Sequence, residues 1–232
     1  MPRVLLIHGL SSSPAGLWRV RHWLEDAGWT TEAIALRGHG GQRAAVDYAL
    51  PSYASDLAPT GPWDAVVAHS LGASAATLVA AADPGWAARL VLFEPVWRIP
   101  AEEEPTIIAD QRAELALTRP QLEAEKPHWD PRDIDAKLAS IAQVDPEAVT
   151  RTFTDTGRWD LTDAAGRLGI PTLVVSGDPQ VYTMLDPADA AAIAKRAPLV
   201  DYRVVPGAGH SPHYDAPDAT RELMLSWLTE AS

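Results

Sequence analysis

Apolar residues in this chain gather into short, unbroken runs: Val4-Leu5-Leu6-Ile7, Ala65-Val66-Val67-Ala68, Leu90-Val91-Leu92-Phe93 and Leu173-Val174-Val175. A run of that length with no alternating polar residues is the pattern of a strand buried on both faces. Extending these four runs to their turn signals predicts strands over Arg3–His8, Ala65–His69, Arg89–Glu94 and Thr172–Ser176, and two further strand-like segments are read over Thr31–Leu36 and Asp201–Val205. Between them lie helical patterns near Pro14–Ala27, Ser52–Leu57, Leu71–Ala82, Pro187–Arg196 and Pro217–Thr229. Alternating strands and helices imply an α/β fold, a parallel sheet with helices on both faces. In such a sheet, reactive groups collect at the carboxyl ends of the strands.

The alternation lapses between about Val96 and Thr156, where helix-start signals take over. Asp130-Pro131 supplies an N-cap and a first-turn proline, with Ile134, Leu138 and Ile141 along one face. Asp145-Pro146-Glu147 repeats the signal, and Glu104-Pro105 opens another helix carrying Ile107, Ile108, Gln111 and Leu115. Roughly 60 residues are too many for a plain loop. The expected organisation is a core of residues 1–95 and 157–232 interrupted by a helical insertion over 96–156. Because the insertion leaves from the carboxyl end of a strand, it is expected to cap the strand ends rather than pack a sheet edge. No internal repeat is evident.

Composition narrows the function classes. The chain has 232 residues, 47% hydrophobic, with a formal charge of −12 and a pI near 4.9. That balance disfavours nucleic acid, anionic membrane surfaces and polyanionic substrates as partners. The absence of cysteine excludes disulfides, thiolate metal sites and cysteine nucleophiles. The first apolar run is too short for a signal peptide, and none approaches the roughly 20 residues of a membrane span. A cytoplasmic protein without membrane contact is expected. No set of His, Asp and Glu stands at metal-ligand spacing, so neither a metal nor another cofactor is expected.

The strand Ala65–His69 stops at Ser70, and an alanine-rich helix begins at once. Ala68 and Gly72 flank the serine two residues away on either side. Small residues are needed there, because a sharp strand-to-helix turn leaves no room for side chains; the pattern is a Gly-x-Ser-x-Gly nucleophile elbow with Ala68 as the first small residue. A bare helix cap is the competing reading of Ser70. Four further segments bear on that choice. His8-Gly9-Leu10 ends the first strand and can aim a backbone N–H at a developing oxyanion, with the Leu71 amide as second donor. Ser176-Gly177-Asp178 ends a strand in a carboxylate that could orient a histidine. Gly207-Ala208-Gly209-His210 is a glycine-rich loop able to bring an imidazole to the serine. Leu36-Arg37-Gly38-His39-Gly40-Gly41 reads as a tight turn with a structural histidine.

These five pieces, in this order, resemble the α/β-hydrolase superfamily, and specifically its small capped ester hydrolases. The resemblance spans nearly the whole chain. It implies an α/β-hydrolase fold with an all-parallel six-stranded sheet, since the chain opens on the strand leading to His8-Gly9. It also implies a catalytic triad of Ser70, Asp178 and His210, with an oxyanion hole at the Leu10 and Leu71 amides. Some relatives place the acid after the strand that here ends at Glu94, so Glu94 is the rival to Asp178; Asp186 and Asp201 are further acids near strand ends. Serine at the nucleophile position argues against the carboxylate chemistry of dehalogenase and epoxide hydrolase relatives.

The implied reaction is carboxylesterase-like two-step acyl transfer through an acyl-enzyme on Ser70, with a small to medium, largely apolar ester as substrate. Lactonase, thioesterase, amidase, carbon–carbon bond hydrolase and cofactor-free perhydrolase chemistries use the same triad, and a slow-turnover receptor of this fold is the non-enzyme alternative. Nine tryptophans invite a search for pocket walls. Trp97 and Trp129 are the candidates, with Leu10 and Ser11 near the acyl site and His69 a further pocket candidate; Trp18, Trp159 and His213 are read mainly as packing residues.

Overall fold

The computed structural model describes residues 1–42 and 45–230. Its sheet consists of β1 (Arg3–Ile7), β2 (Thr30–Ile34), β3 (Ala65–His69), β4 (Leu90–Phe93), β5 (Thr172–Ser176) and β6 (Val200–Val204). They lie in the order β2-β1-β3-β4-β5-β6, and every neighbouring pair is parallel. The all-parallel six-stranded sheet expected from the sequence is therefore present, and two strands match their expected limits to the residue. Successive side chains of a strand point to opposite faces, which explains the unbroken apolar runs. Leu5, Ile7, Val66, Ala68, Leu92 and Val174 enter one core. Val4, Leu6, Val67, Val91, Phe93 and Val175 enter the other.

The first core is closed by α2 (Leu50–Leu57), α3 (Leu71–Ala82), the short α8 (Thr162–Ala165) and α9 (Pro187–Arg196). The second is closed by α1 (Trp18–Asp26) and α11 (Pro217–Glu230). A 3₁₀ turn over Pro14–Leu17 precedes α1, so the single helix expected there is split. Helix α3 is buried over most of its length, which its alanines permit. Between β4 and β5 run α4 (Glu104–Glu114), α5 (Arg119–Glu125), α6 (Pro131–Ile141) and α7 (Pro146–Thr156) ahead of α8. The Asp-Pro signals start α6 and α7 as read: Asp130 caps the Arg132 amide and Asp145 the Glu147 amide.

Helix α6 is tied firmly to the core. The Asp133 carboxylate is fully buried and accepts from Arg19 Nε and Nη2, at 2.9 and 2.8 Å, and from Trp18 Nε1 at 2.9 Å. Ser140 and Ser13 hydroxyls meet at 2.7 Å. Helix α4 contrasts with it, having no buried residue. A last short helix, α10 (Pro212–Asp215), follows the histidine loop.

The turn from β3 into α3 demands a glycine at position 72. A Cβ there would lie 2.4 Å from the His8 carbonyl oxygen and 2.9 Å from that of Ile7. Both obstacles are backbone, so α3 would have to back away from β1. Gly72→Ala is expected to destabilise the protein by about 1–3 kcal/mol through overpacking, against the helix preference for alanine. Gly169→Ala, where the nearest atom is 3.9 Å away, is the control. Urea unfolding of both variants checks this; equal midpoints would contradict it.

Candidate active site

Three residues other than glycine have positive φ among those described: Ser11 (54°), Ser70 (51°) and Glu94 (47°). Such backbone costs energy and collects at functional sites. All three stand at or just past the carboxyl ends of β1, β3 and β4, which are neighbours in the sheet. His69 pairs with Phe93 in the β3–β4 ladder, so Ser70 and Glu94 leave the sheet at the same level. Ser70 N–H donates to the Phe93 carbonyl at 2.9 Å, and Glu94 N–H to the Val175 carbonyl at 2.8 Å.

His210 joins these two residues. Its Nε2 lies 2.9 Å from Ser70 Oγ and its Nδ1 2.9 Å from Glu94 Oε2. A carboxylate can only accept, so Nδ1 carries the proton and Nε2 presents its lone pair to the Ser70 hydroxyl. The acid on His210 is thus Glu94, and the preference for Asp178 is corrected. Asp178 accepts the amides of Gln180 at 2.9 Å and Gly207 at 3.0 Å. It forms a local turn that holds the base of the histidine loop. Of the other strand-end acids, Asp186 caps α9 and Asp201 pairs with Arg203.

Glu94 is fully buried, which alone would raise its pKa. Hydrogen bonds from His210, Thr183 and Gly177 outweigh burial and hold the carboxyl below its ordinary value. Oε1 accepts from Ser176 Oγ at 2.9 Å, Gly177 N at 2.7 Å and Thr183 Oγ1 at 2.7 Å; Oε2 accepts from Met184 N at 2.9 Å as well as from His210. The signal for it in the sequence was an acid set directly against an apolar strand, next to the strand that ends at the serine.

Among the described residues neither the Leu10 nor the Leu71 amide has a hydrogen-bond partner. Leu71 N–H belongs to the open first turn of α3, where no intrahelical acceptor exists. Gly9 lets the Leu10 turn approach Ser70: a Cβ there would stand 2.9 Å from Ser70 Cβ. The turn itself is braced by two histidines. His8 Nδ1 lies 2.8 Å from the Gly9 carbonyl oxygen, and Leu36 N–H donates to His8 Nε2 at 3.1 Å. His39 Nδ1 lies 2.9 Å from the Arg37 carbonyl oxygen, and Ser11 N–H donates to His39 Nε2 at 3.3 Å. Each ring donates through one nitrogen and accepts through the other, so each must be neutral. His39 is structural, as read from the sequence.

Ser70 opens into a cavity of about 330 Å³. His69 and Trp129 line it as expected. His69 Nε2 donates to the His210 carbonyl at 2.8 Å, and Trp129 Nε1 to Asp215 at 2.7 Å. Two pocket candidates are corrected. Trp97 is 1% exposed and donates to Thr77 of α3 at 3.1 Å, within the core; Trp159 stands in the wall instead. Ser11 is buried behind the wall, and Ser12 faces the cavity. His213 packs against Phe93 and His69 at ring distances of 5.8 and 5.0 Å. No three His, Asp or Glu side chains converge as a metal-ligand set among the described residues.

Burial holds four histidines neutral. It lowers His8 and His69 to about 3 and His39 to about 4, and His213 lies well below its ordinary value. In the unfolded chain each titrates near 6.5. Between pH 6.5 and 4 the unfolded state therefore binds more protons, and stability falls as pH falls, by up to about 1.4 kcal/mol per pH unit per histidine. Urea unfolding at pH 7, 6 and 5 is expected to show this loss begin near pH 6.5. A flat profile over that range would contradict the neutral-histidine assignment.

Comparison with known proteins places the chain in a family. A model of the "Alpha/beta hydrolase family" matches residues 4–223. The mouse sn-1-specific diacylglycerol lipase ABHD11 is 24% identical over an alignment covering 98% of this chain and 81% of that protein. Among solved structures, an E-2-(acetamidomethylene)succinate hydrolase superposes with a TM-score of 0.82 at 24% identity, covering 98% of this chain and 91% of the other. A thermophilic esterase from Thermogutta terrifontis, solved with malate bound, gives 0.74 at 25% identity, covering 100% and 90%. The match over nearly the whole chain, with its all-parallel sheet, makes this protein a member of the alpha/beta hydrolase family.

Proposed function

We propose that the protein is a serine hydrolase cleaving small carboxylic esters through an acyl-enzyme on Ser70. The observation that carries the reading is the continuous hydrogen-bond chain Ser70–His210–Glu94, at 2.9 Å in both links, beside two unpartnered amides. Ser70 Oγ attacks the ester carbonyl as its proton passes to His210 Nε2. The Leu10 and Leu71 amides receive the oxyanion of the tetrahedral intermediate, a contribution of about 3–4 kcal/mol per donor in comparable sites. The imidazolium, stabilised by the Glu94 carboxylate, then protonates the departing alcohol. Water, deprotonated by His210, attacks the acyl carbon; the acid leaves and Ser70 recovers its proton.

The cavity size and its apolar side chains, among them Leu10, Ile99, Phe153 and Trp159, favour a small to medium substrate. Ester chemistry is further supported by the names of the mouse lipase and the Thermogutta esterase. We take the insertion to serve as a cap, because Ile107, Trp129 and Phe153 from it share the cavity wall with Ser70.

Ser70→Ala is expected to lower kcat on short-chain esters by about 10⁴-fold or more with an unchanged circular dichroism spectrum. Glu94→Gln is expected to cost about 10²–10⁴-fold, whereas Asp178→Ala costs less than about tenfold. Rates on methyl and ethyl esters, with labelling of Ser70 by a fluorophosphonate, check the set. Full activity in Ser70→Ala, or a larger loss in Asp178→Ala than in Glu94→Gln, would overturn it.

A further inference from the structure

The chain carries its positive charge almost wholly on arginine. Of its 19 Lys and Arg residues, only Lys126, Lys137 and Lys195 are lysines. Two of those three, Lys126 and Lys137, stand in the wall of the Ser70 cavity. Lys137 extends from α6 with its side chain only 12% exposed. Its Nζ lies 3.2 Å from the carbonyl oxygen of Ser11, the residue that follows Leu10, and 2.6 Å from Glu114 Oε1. An ammonium taken this far out of water must be matched by an anion.

The two members of that pair are held very differently. Lys137 shares α6 with Asp133 and Ser140, which bind Arg19, Trp18 and Ser13 of the core. Glu114 ends α4, which has no buried residue, and its side chain is 26% exposed. The cation is fixed beside the Leu10 turn, and its anion is on the element that can move away. We propose that Lys137 is a carboxylate subsite and that the natural substrate is a short ester carrying a free carboxylate, such as the half-ester of a small dicarboxylic acid. The proposal rests on the acyl-transfer reading of Ser70. The substrate carboxylate takes the place of Glu114 on Lys137 while the ester carbonyl lies at the Leu10 and Leu71 amides. The Ser11 carbonyl that holds Lys137 Nζ belongs to the residue after Leu10, so a short carbon chain is proposed to join the two groups.

The remaining charged residues of the wall are one cation, Lys126, and one acid already engaged by donors, Asp215. Lys126 stands over the Trp129 ring at 5.5 Å and has no acidic partner among the described residues, so it offsets locally the net charge of −12 for an arriving anion. The other acid of the wall, Asp215, is taken up by Gly209 N at 2.8 Å, Trp129 Nε1 at 2.7 Å and His128 Nε2 at 3.2 Å.

The test compares monomethyl succinate with uncharged methyl succinamate, of equal length, by proton release. Wild type is expected to favour the charged ester at least tenfold in kcat/KM. Lys137→Met is expected to abolish that preference through KM, Lys137→Arg to keep part of it, and Glu114→Gln to increase it. An equal loss on both esters in Lys137→Met, which a mere prop for Ser11 would give, overturns the proposal, as does a wild-type preference for the uncharged ester. A second readout does not depend on turnover: calorimetric titration of succinate into Ser70→Ala and into Ser70→Ala/Lys137→Met, with folding checked by circular dichroism. Binding lost only in the double variant supports the subsite, even if wild type cleaves neither ester and the ester reading falls. Cleavage of the uncharged ester without succinate binding overturns the subsite and leaves the ester reading standing.

Discussion

A carboxylate with no access to water has to be surrounded by donors, and Glu94 sets that condition for the whole site. Removing such a charge from water costs several kcal/mol unless hydrogen bonds replace its hydration. Here the replacements come from the end of β5, from the Thr183–Met184 loop and from His210. These segments are distant in sequence, and the buried charge draws them to one point. The histidine loop therefore has a defined position, and the imidazole a defined tautomer. An apolar residue at 94 would leave the Gly177 and Met184 amides and the Thr183 hydroxyl without this acceptor.

The same economy of backbone appears beside the Leu10 and Leu71 amides. Strand β1 delivers Gly9 against Ser70 with no side chain between them, and neutral His8 and His39 brace the turn from below. Strain is admitted at Ser11, Ser70 and Glu94, where three adjacent parallel strands end. The sheet supports it because β3 and β4 are buried along their full length. Rigidity is thus concentrated below Ser70 and His210. Above them, α6 is anchored through Asp133, while α4 lines the cavity with no fully buried residue.

Much of this was legible in the residues alone. The four central strands, β1, β3, β4 and β5, could be read because each carries an unbroken apolar run bounded by turn signals. Ser70 could be read because a strand, a small residue, serine and Gly72 form a local motif, and His210 because glycines precede it in a loop. The acid that pairs with His210 was not legible in the same way. Asp178 and Glu94 both follow strands; Asp178 spends its oxygens on Gln180 and Gly207, and Glu94 turns off β4 with a positive φ toward His210. Likewise Trp97 and Trp159 are both apolar and both near the insertion, yet Thr77 binds one indole and the Val96 carbonyl the other.

The sequence by itself determined the secondary structure, the parallel sheet and the two residues at the ends of local motifs. Those outcomes depend on periodicity and on steric limits acting over a few neighbouring residues. Only the tertiary structure decided which acid meets His210, which tryptophan faces the cavity, and that Lys137 stands there paired with Glu114. Those outcomes depend on strand register and on the competition of distant donors for the same carboxylate, and no local pattern encodes either.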